Sequence, residues 1–128
     1  MKDQRIKQSL QNFEKALTQL KTAVEKNSLT ELERSGAIQN FEYCYELCWK
    51  TLKKMAEGEG RSAPTPRKAF QYALEAGLIQ NEKIWVEMIL DRNLTTHTYD
   101  EKIAEKVYQN IREKYYSALE LIFKTLPH

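Results

Sequence analysis

At 128 residues, with 41% hydrophobic and 30% charged side chains, the chain holds enough apolar material for one packed core and is expected to form one domain spanning 1-128. Four glycines and three prolines are few for the many turns of a β-sandwich or barrel, and a net charge of +2 falls far short of a dedicated non-specific DNA binder. No run approaches the roughly 18 apolar residues of a membrane span, and the polar opening residues show no secretory hydrophobic stretch, so a cytoplasmic location is expected.

Apolar residues recur at helical spacing almost throughout. Ile6, Leu10, Phe13, Leu17, Leu20 and Val24 paint one stripe on a first helix. The stretch Asn27 to Thr30 breaks it, and Thr30 with Glu33 matches a capping box for the next helix. Ile38, Phe41, Tyr45, Cys48, Leu52 and Met55 form its stripe, which stops at Gly58 and Gly60. A polar loop to Pro66 follows, and Pro66 suits the first turn of a third helix that ends at Gly77. Asn81 opens a fourth helix carrying Ile84, Trp85, Met88 and Ile89. The last helix runs from about Asp100 to Leu126, its stripe passing through Val107, Ile111, Tyr115, Leu119 and Ile122. The fold expected is all-α, an antiparallel bundle of about five helices, three long and two short.

Cys44 and Cys48 sit one helical turn apart and read as small core-facing thiols. A zinc site built from them with His97 and His128 lacks the usual ligand spacing. No metal and no cofactor is expected. Glu42 and Glu46 share a helix face and read as a solvated face or as salt-bridging acids for Arg or Lys of a partner. Trp49 and Trp85 read as core or interface, Tyr108 and Tyr115 as a packing seam, and Arg61, Arg67 and Lys68 as a solvated basic loop.

The segment from Asp91 to Asp100 does not look like scaffold. It holds three threonines in four positions and the chain's only histidine apart from the C-terminal one. Arg followed by His suits metal-independent RNA cleavage. A guanidinium can fork onto a scissile phosphate, and an imidazole titrating near neutrality can move a proton from a 2′-hydroxyl or to a leaving oxygen. Asn93 can add a hydrogen bond to the phosphate or orient the histidine. On an unbroken helix, Arg92 and His97 would lie about 140° apart. Either the helix ends near Thr95, or two copies of the motif meet across a dimer. The bland alternative makes Arg92 a helix C-terminal cation and His97 a surface loop residue.

The stretch Phe41-Glu42-Tyr43-Cys44-Tyr45-Glu46-Leu47-Cys48-Trp49-Lys50 resembles the second-helix signature of the HEPN superfamily. The likeness continues through Pro66-Arg67-Lys68, Ala76-Gly77-Leu78-Ile79 and Trp85 into Arg92-Asn93-Leu94-Thr95-Thr96-His97-Thr98-Tyr99, which has the form R-x4-H-x-Y. It is similar in particular to HEPN proteins described as nucleotidyltransferase substrate-binding proteins. That resemblance implies a helical bundle that pairs as a homodimer, with two Arg/His motifs in one cleft acting on RNA. It implies Arg92 and His97 as catalytic, Asn93 as supporting, and 2′,3′-cyclic phosphate products. It further implies a type VII-like toxin–antitoxin pair, in which a partner MNT-type nucleotidyltransferase neutralises the ribonuclease by adenylylating Tyr99. Two rival readings stand beside it: a non-catalytic substrate-binding or docking subunit of a minimal nucleotidyltransferase, and a plain helical interaction protein.

Overall fold

The computed structural model describes residues 4–128, which are helical apart from short connections. The elements are α1 (Gln4–Val24), α2 (Glu31–Gly58), α3 (Pro66–Glu75), α4 (Glu82–Leu94), a 3₁₀ turn (Thr95–His97), α5 (Glu101–Asn110), a π-turn (Ile111–Tyr115) and α6 (Tyr116–Thr125). The expected bundle of three long and two short helices is thus the observed one, α5, the π-turn and α6 forming one long rod.

Local chemistry explains the boundaries. Thr30 and Glu33 close a reciprocal capping box at the head of α2, the Thr30 hydroxyl accepting from the Glu33 amide at 3.1 Å. Pro66 stands in the first turn of α3, and the Thr65 hydroxyl accepts from the Lys68 amide. Helices α2 and α3 end alike, with Gly60 and Gly77 at φ +76° and +77°. The Arg61 and Leu78 amides reach back to the Ala56 and Ala73 carbonyls, which are Schellman closures needing that left-handed residue. Gly58 therefore lies inside α2, and Gly60 is its stop. Asp100 caps α5, its carboxylate accepting from the Lys102 and Ile103 amides.

The stripes face inward. Phe13 and Leu20 of α1, Phe41, Cys48 and Leu52 of α2, Met88 of α4, and Val107, Ile111, Tyr115 and Leu119 of the last rod are fully enclosed. Helix α1 packs chiefly on α2 and then on α6, where Phe13 meets Phe123 edge to face at 5.4 Å. Trp85 is buried against Phe70, while Trp49 is half-buried and donates its indole N–H to Glu46. Tyr115 stacks on Phe41 at 5.6 Å, and the Tyr108 hydroxyl donates to the Ala23 carbonyl. Arg61 of the basic loop pairs with Glu75 and lies over the Tyr72 ring, whereas Arg67 and Lys68 are exposed.

The last rod is not a uniform α-helix. Between Ile111 and Tyr115 it widens into π geometry, the Tyr116 amide reaching the Ile111 carbonyl five residues back. The buried stripe Val107, Ile111, Tyr115, Leu119 advances by four each time. A regular helix drifts about 40° at every such step, and the wider turn reduces that drift along this rod.

Candidate active site

Helix α4 stops at Leu94, and the chain tightens into the 3₁₀ turn Thr95–His97. The helix therefore ends where the first of the two geometric alternatives places it. Thr95 drives the tightening, because its buried hydroxyl donates to the Arg92 carbonyl at 2.7 Å in place of a continued helical ladder. The Thr98 hydroxyl repeats the move onto the Thr95 carbonyl at 3.1 Å. Three threonines in four positions thus act through their side-chain oxygens as breakers of α4.

Arg92 points across to α2. Its Nη1 donates to the Thr95 hydroxyl at 2.9 Å and lies 3.4 Å from a Glu42 oxygen, while Nη2 stands 3.9 Å from Glu46. Lys50 approaches the other Glu46 oxygen at 3.5 Å, leaving two carboxylates shared by two cations. The sequence left Glu42 and Glu46 as solvated acids or salt-bridge partners, and the structure resolves them as intramolecular partners of Arg92. Tyr45, which feels both Glu46 and Arg92, is pushed up to about 12, chiefly by burial. Among the described residues, Arg92 Nε is the buried side-chain donor left without a hydrogen-bond partner.

His97 lies on the exposed 3₁₀ turn, with its Nδ1 3.2 Å from the Tyr99 hydroxyl and the two rings edge to face at 5.8 Å. Tyr99 is 84% exposed, among the most open large side chains of the protein. Asn93 is exposed near the end of α4, and its carbonyl accepts from the Thr96 hydroxyl at 3.4 Å. Within one chain the structure brings His97 to Tyr99 and Arg92 to α2. Among the described residues no hydrogen bond joins Arg92 to His97.

Sequence reasoning missed Asp91. Its side chain is buried, and one carboxylate oxygen accepts from the Tyr115 hydroxyl at 2.6 Å and from the Asn110 amide at 2.8 Å. Burial, followed by that bond to Asp91, raises the Tyr115 phenol well above its ordinary range. A groove of about 520 Å³ runs beside the network, bordered by Asn93, Leu90, Leu94 and Lys106. The available signal was an acid placed at an otherwise core-facing register of α4, three residues after Met88.

The cysteines are core residues. Burial pushes Cys44 up to about 12 and raises Cys48 further, so neither thiol offers a ready thiolate to a metal. Among the described residues, no three His, Cys, Asp or Glu side chains gather in a metal-holding group, and no helix is long and apolar enough to cross a membrane.

Comparison with known proteins agrees with this architecture. A Thermus thermophilus protein of solved structure superposes with a TM-score of 0.83 at 34% identity, over 91% of this chain and 99% of that one. A Haemophilus influenzae protein, whose structure is described as revealing the fold of a substrate-binding domain of a nucleotidyltransferase, gives 0.80 at 26% identity, over 91% and 97%. Probable ribonuclease HepT of Haemophilus influenzae is 35% identical over 82 residues, 60% of this chain and 56% of that protein, so the match spans little more than half of that relative. The family model described as nucleotidyltransferase substrate binding protein like matches residues 8–127, nearly the whole chain, and the protein belongs to that family.

Proposed function

We propose that the protein is a metal-independent endoribonuclease whose reacting groups are Arg92 and His97, supported by Asn93. We further propose that a partner nucleotidyltransferase silences it by adenylylating Tyr99, as a toxin–antitoxin pair. The observation that carries this reading is the contact between His97 and Tyr99 on an open turn that begins within three residues of Arg92. In the proposed reaction a ribose 2′-oxygen gives up its proton and bonds to the adjacent phosphorus while the bond to the next nucleotide's 5′-oxygen breaks, leaving a 2′,3′-cyclic phosphate end and a 5′-hydroxyl that takes up a proton. His97 moves the proton, its Nε2 being the ring nitrogen not engaged by Tyr99. Arg92 steadies the crowded phosphate, because its planar fork carries more donors than its bonds on α2 consume. A second copy opposing the same turn would supply a second Arg/His set and complete the cleft. An adenylyl group on Tyr99 would set a phosphate against His97, where the RNA phosphate must sit, so like charge and bulk would exclude the substrate.

A second reading has its own support. Arg92 is already engaged by Glu42 and Glu46, and the family description is one of substrate binding. On that reading the chain is a non-catalytic docking subunit of a nucleotidyltransferase. The deciding experiment is cleavage of a defined RNA in excess EDTA, wild type against His97→Ala, with intact mass verifying an unmodified Tyr99. Cleavage by wild type alone, leaving cyclic-phosphate ends, is the expected result. Inert, unmodified wild type across several RNAs would transfer the case to the docking subunit.

A further inference from the structure

A buried carboxylate one residue before Arg92 plays no part in the reaction above. Asp91 is only 5% exposed, yet a single oxygen holds both the Tyr115 hydroxyl and the Asn110 amide. Both donors belong to the last rod, at the two ends of its π-turn. Residues five apart on an α-helix lie about 140° apart around the axis. The wider π-turn lowers that angle and brings Asn110 and Tyr115 closer to one side of the rod, where both reach the same Asp91 oxygen. The π-turn thereby places two donors where one acid on α4 meets them.

Burying an acid among apolar helices is costly, and the site offsets that cost with two charge-assisted bonds. Those bonds tie the last turn of α4 to the rod immediately before the chain presents Arg92 to α2 and breaks into the 3₁₀ turn. Packing alone would not require an acid here, since Met88, one turn earlier on the same helix, is buried without polar partners.

We propose that Asp91, clamped by Tyr115 and Asn110 across the π-turn, is a positioning residue that sets the direction of Arg92. The inference rests on the reading of Arg92 and His97 as the reacting pair. Asp91 touches no substrate and acts through the backbone turn it anchors. Arg92 Nε, enclosed and without a hydrogen-bond partner, reports that direction, because any swing of the guanidinium opens it to water.

The test uses Tyr115→Phe, which removes only the hydroxyl, and Asn110→Ala, at a half-buried position, each checked for an unmodified Tyr99. RNA cleavage is measured as kcat and KM, and exchange of the Arg92 Nε–H is followed by NMR. The expected result is a kcat lower by about 10- to 100-fold with KM little changed, and faster Nε–H exchange. Unchanged kcat and unchanged exchange in both variants, even with a lowered Tm, would overturn the proposal and leave the clamp as packing alone. If wild type cleaves no RNA, the catalytic reading fails separately, and the clamp is judged by exchange: faster in either variant supports it, unchanged in both refutes it. Should Tyr115→Phe not fold, Asn110→Ala decides by the same two readouts.

Discussion

The Nδ1 of His97 stands 3.2 Å from the hydroxyl of Tyr99, two open side chains on one turn, each within reach of whatever binds the other. A phenol bonded to Nδ1 fixes the imidazole and leaves Nε2 facing outward. Tyr99→Phe is therefore expected to keep most of the RNA-cleaving activity, since the reacting nitrogen is untouched. It is also expected to escape neutralisation, so cells co-expressing the nucleotidyltransferase would still stop growing. Growth, combined with intact mass of the purified chain, checks both halves, and full rescue of the Tyr99→Phe strain would contradict the assignment.

Glu42 and Glu46 compete with any phosphate for Arg92. Their pairs with Arg92 are half-buried but long, at 3.4 and 3.9 Å, and should add little stability, about 1 kcal/mol each. The double variant Glu42→Gln, Glu46→Gln is expected to leave Tm nearly unchanged and to tighten RNA binding by about fivefold or more at low salt. Binding in a His97→Ala background, where cleavage is expected to be lost, titrated at two salt concentrations, measures this. Weakened binding would mean that the two acids are needed to present Arg92.

Two substitutions gauge the scaffold. Phe13 is fully enclosed against Phe123, so Phe13→Ala should cost about 3 to 5 kcal/mol through lost burial and the cavity left behind. Thr30→Ala removes the side-chain cap of α2 and should cost about 1 kcal/mol. Urea unfolding of each variant supplies the comparison.

The cysteines make stability fall in alkali. Burial raises Cys44 from 9.0 to about 12 and raises Cys48 as well, so the folded state favours the neutral thiols. Their contribution is complete below the unfolded thiol range and is lost as pH climbs from about 9 towards the folded values. The slope is about 1.4 kcal/mol per pH unit for each thiol that has ionised only in the unfolded chain. Cys44→Ala should flatten the decline of unfolding free energy between pH 9 and pH 11. An identical slope in wild type and variant would show that the thiol ionises freely in the fold.

The helices and their inward faces were legible in the sequence because both are local. A spacing of three or four marks the buried side wherever a helix lies, and Thr30, Pro66, Gly77 and Asp100 stop or start helices through bonds to their near neighbours. The R-x4-H-x-Y pattern, too, pointed to the segment that proved to be an open, irregular turn. The π-turn was not legible, because Cys44, Cys48, Leu52 and Ala56 make the same four-residue steps inside the regular helix α2 and stay buried.

Partnership is another matter. That Arg92 lies against Glu42 and Glu46 depends on how α4 crosses α2, some fifty residues away in the chain. That Asp91 finds Asn110 and Tyr115 depends on how α4 meets the last rod. Sequence alone determined the helices and their apolar faces, since each follows from neighbours within a turn or two, and it marked Arg92, Asn93, His97 and Tyr99 as candidates. Only the tertiary structure decided which charges meet, separating Arg92 from His97 and giving each a different partner, because an ion pair forms by distance in space and sequence spacing constrains that distance only within a single helix.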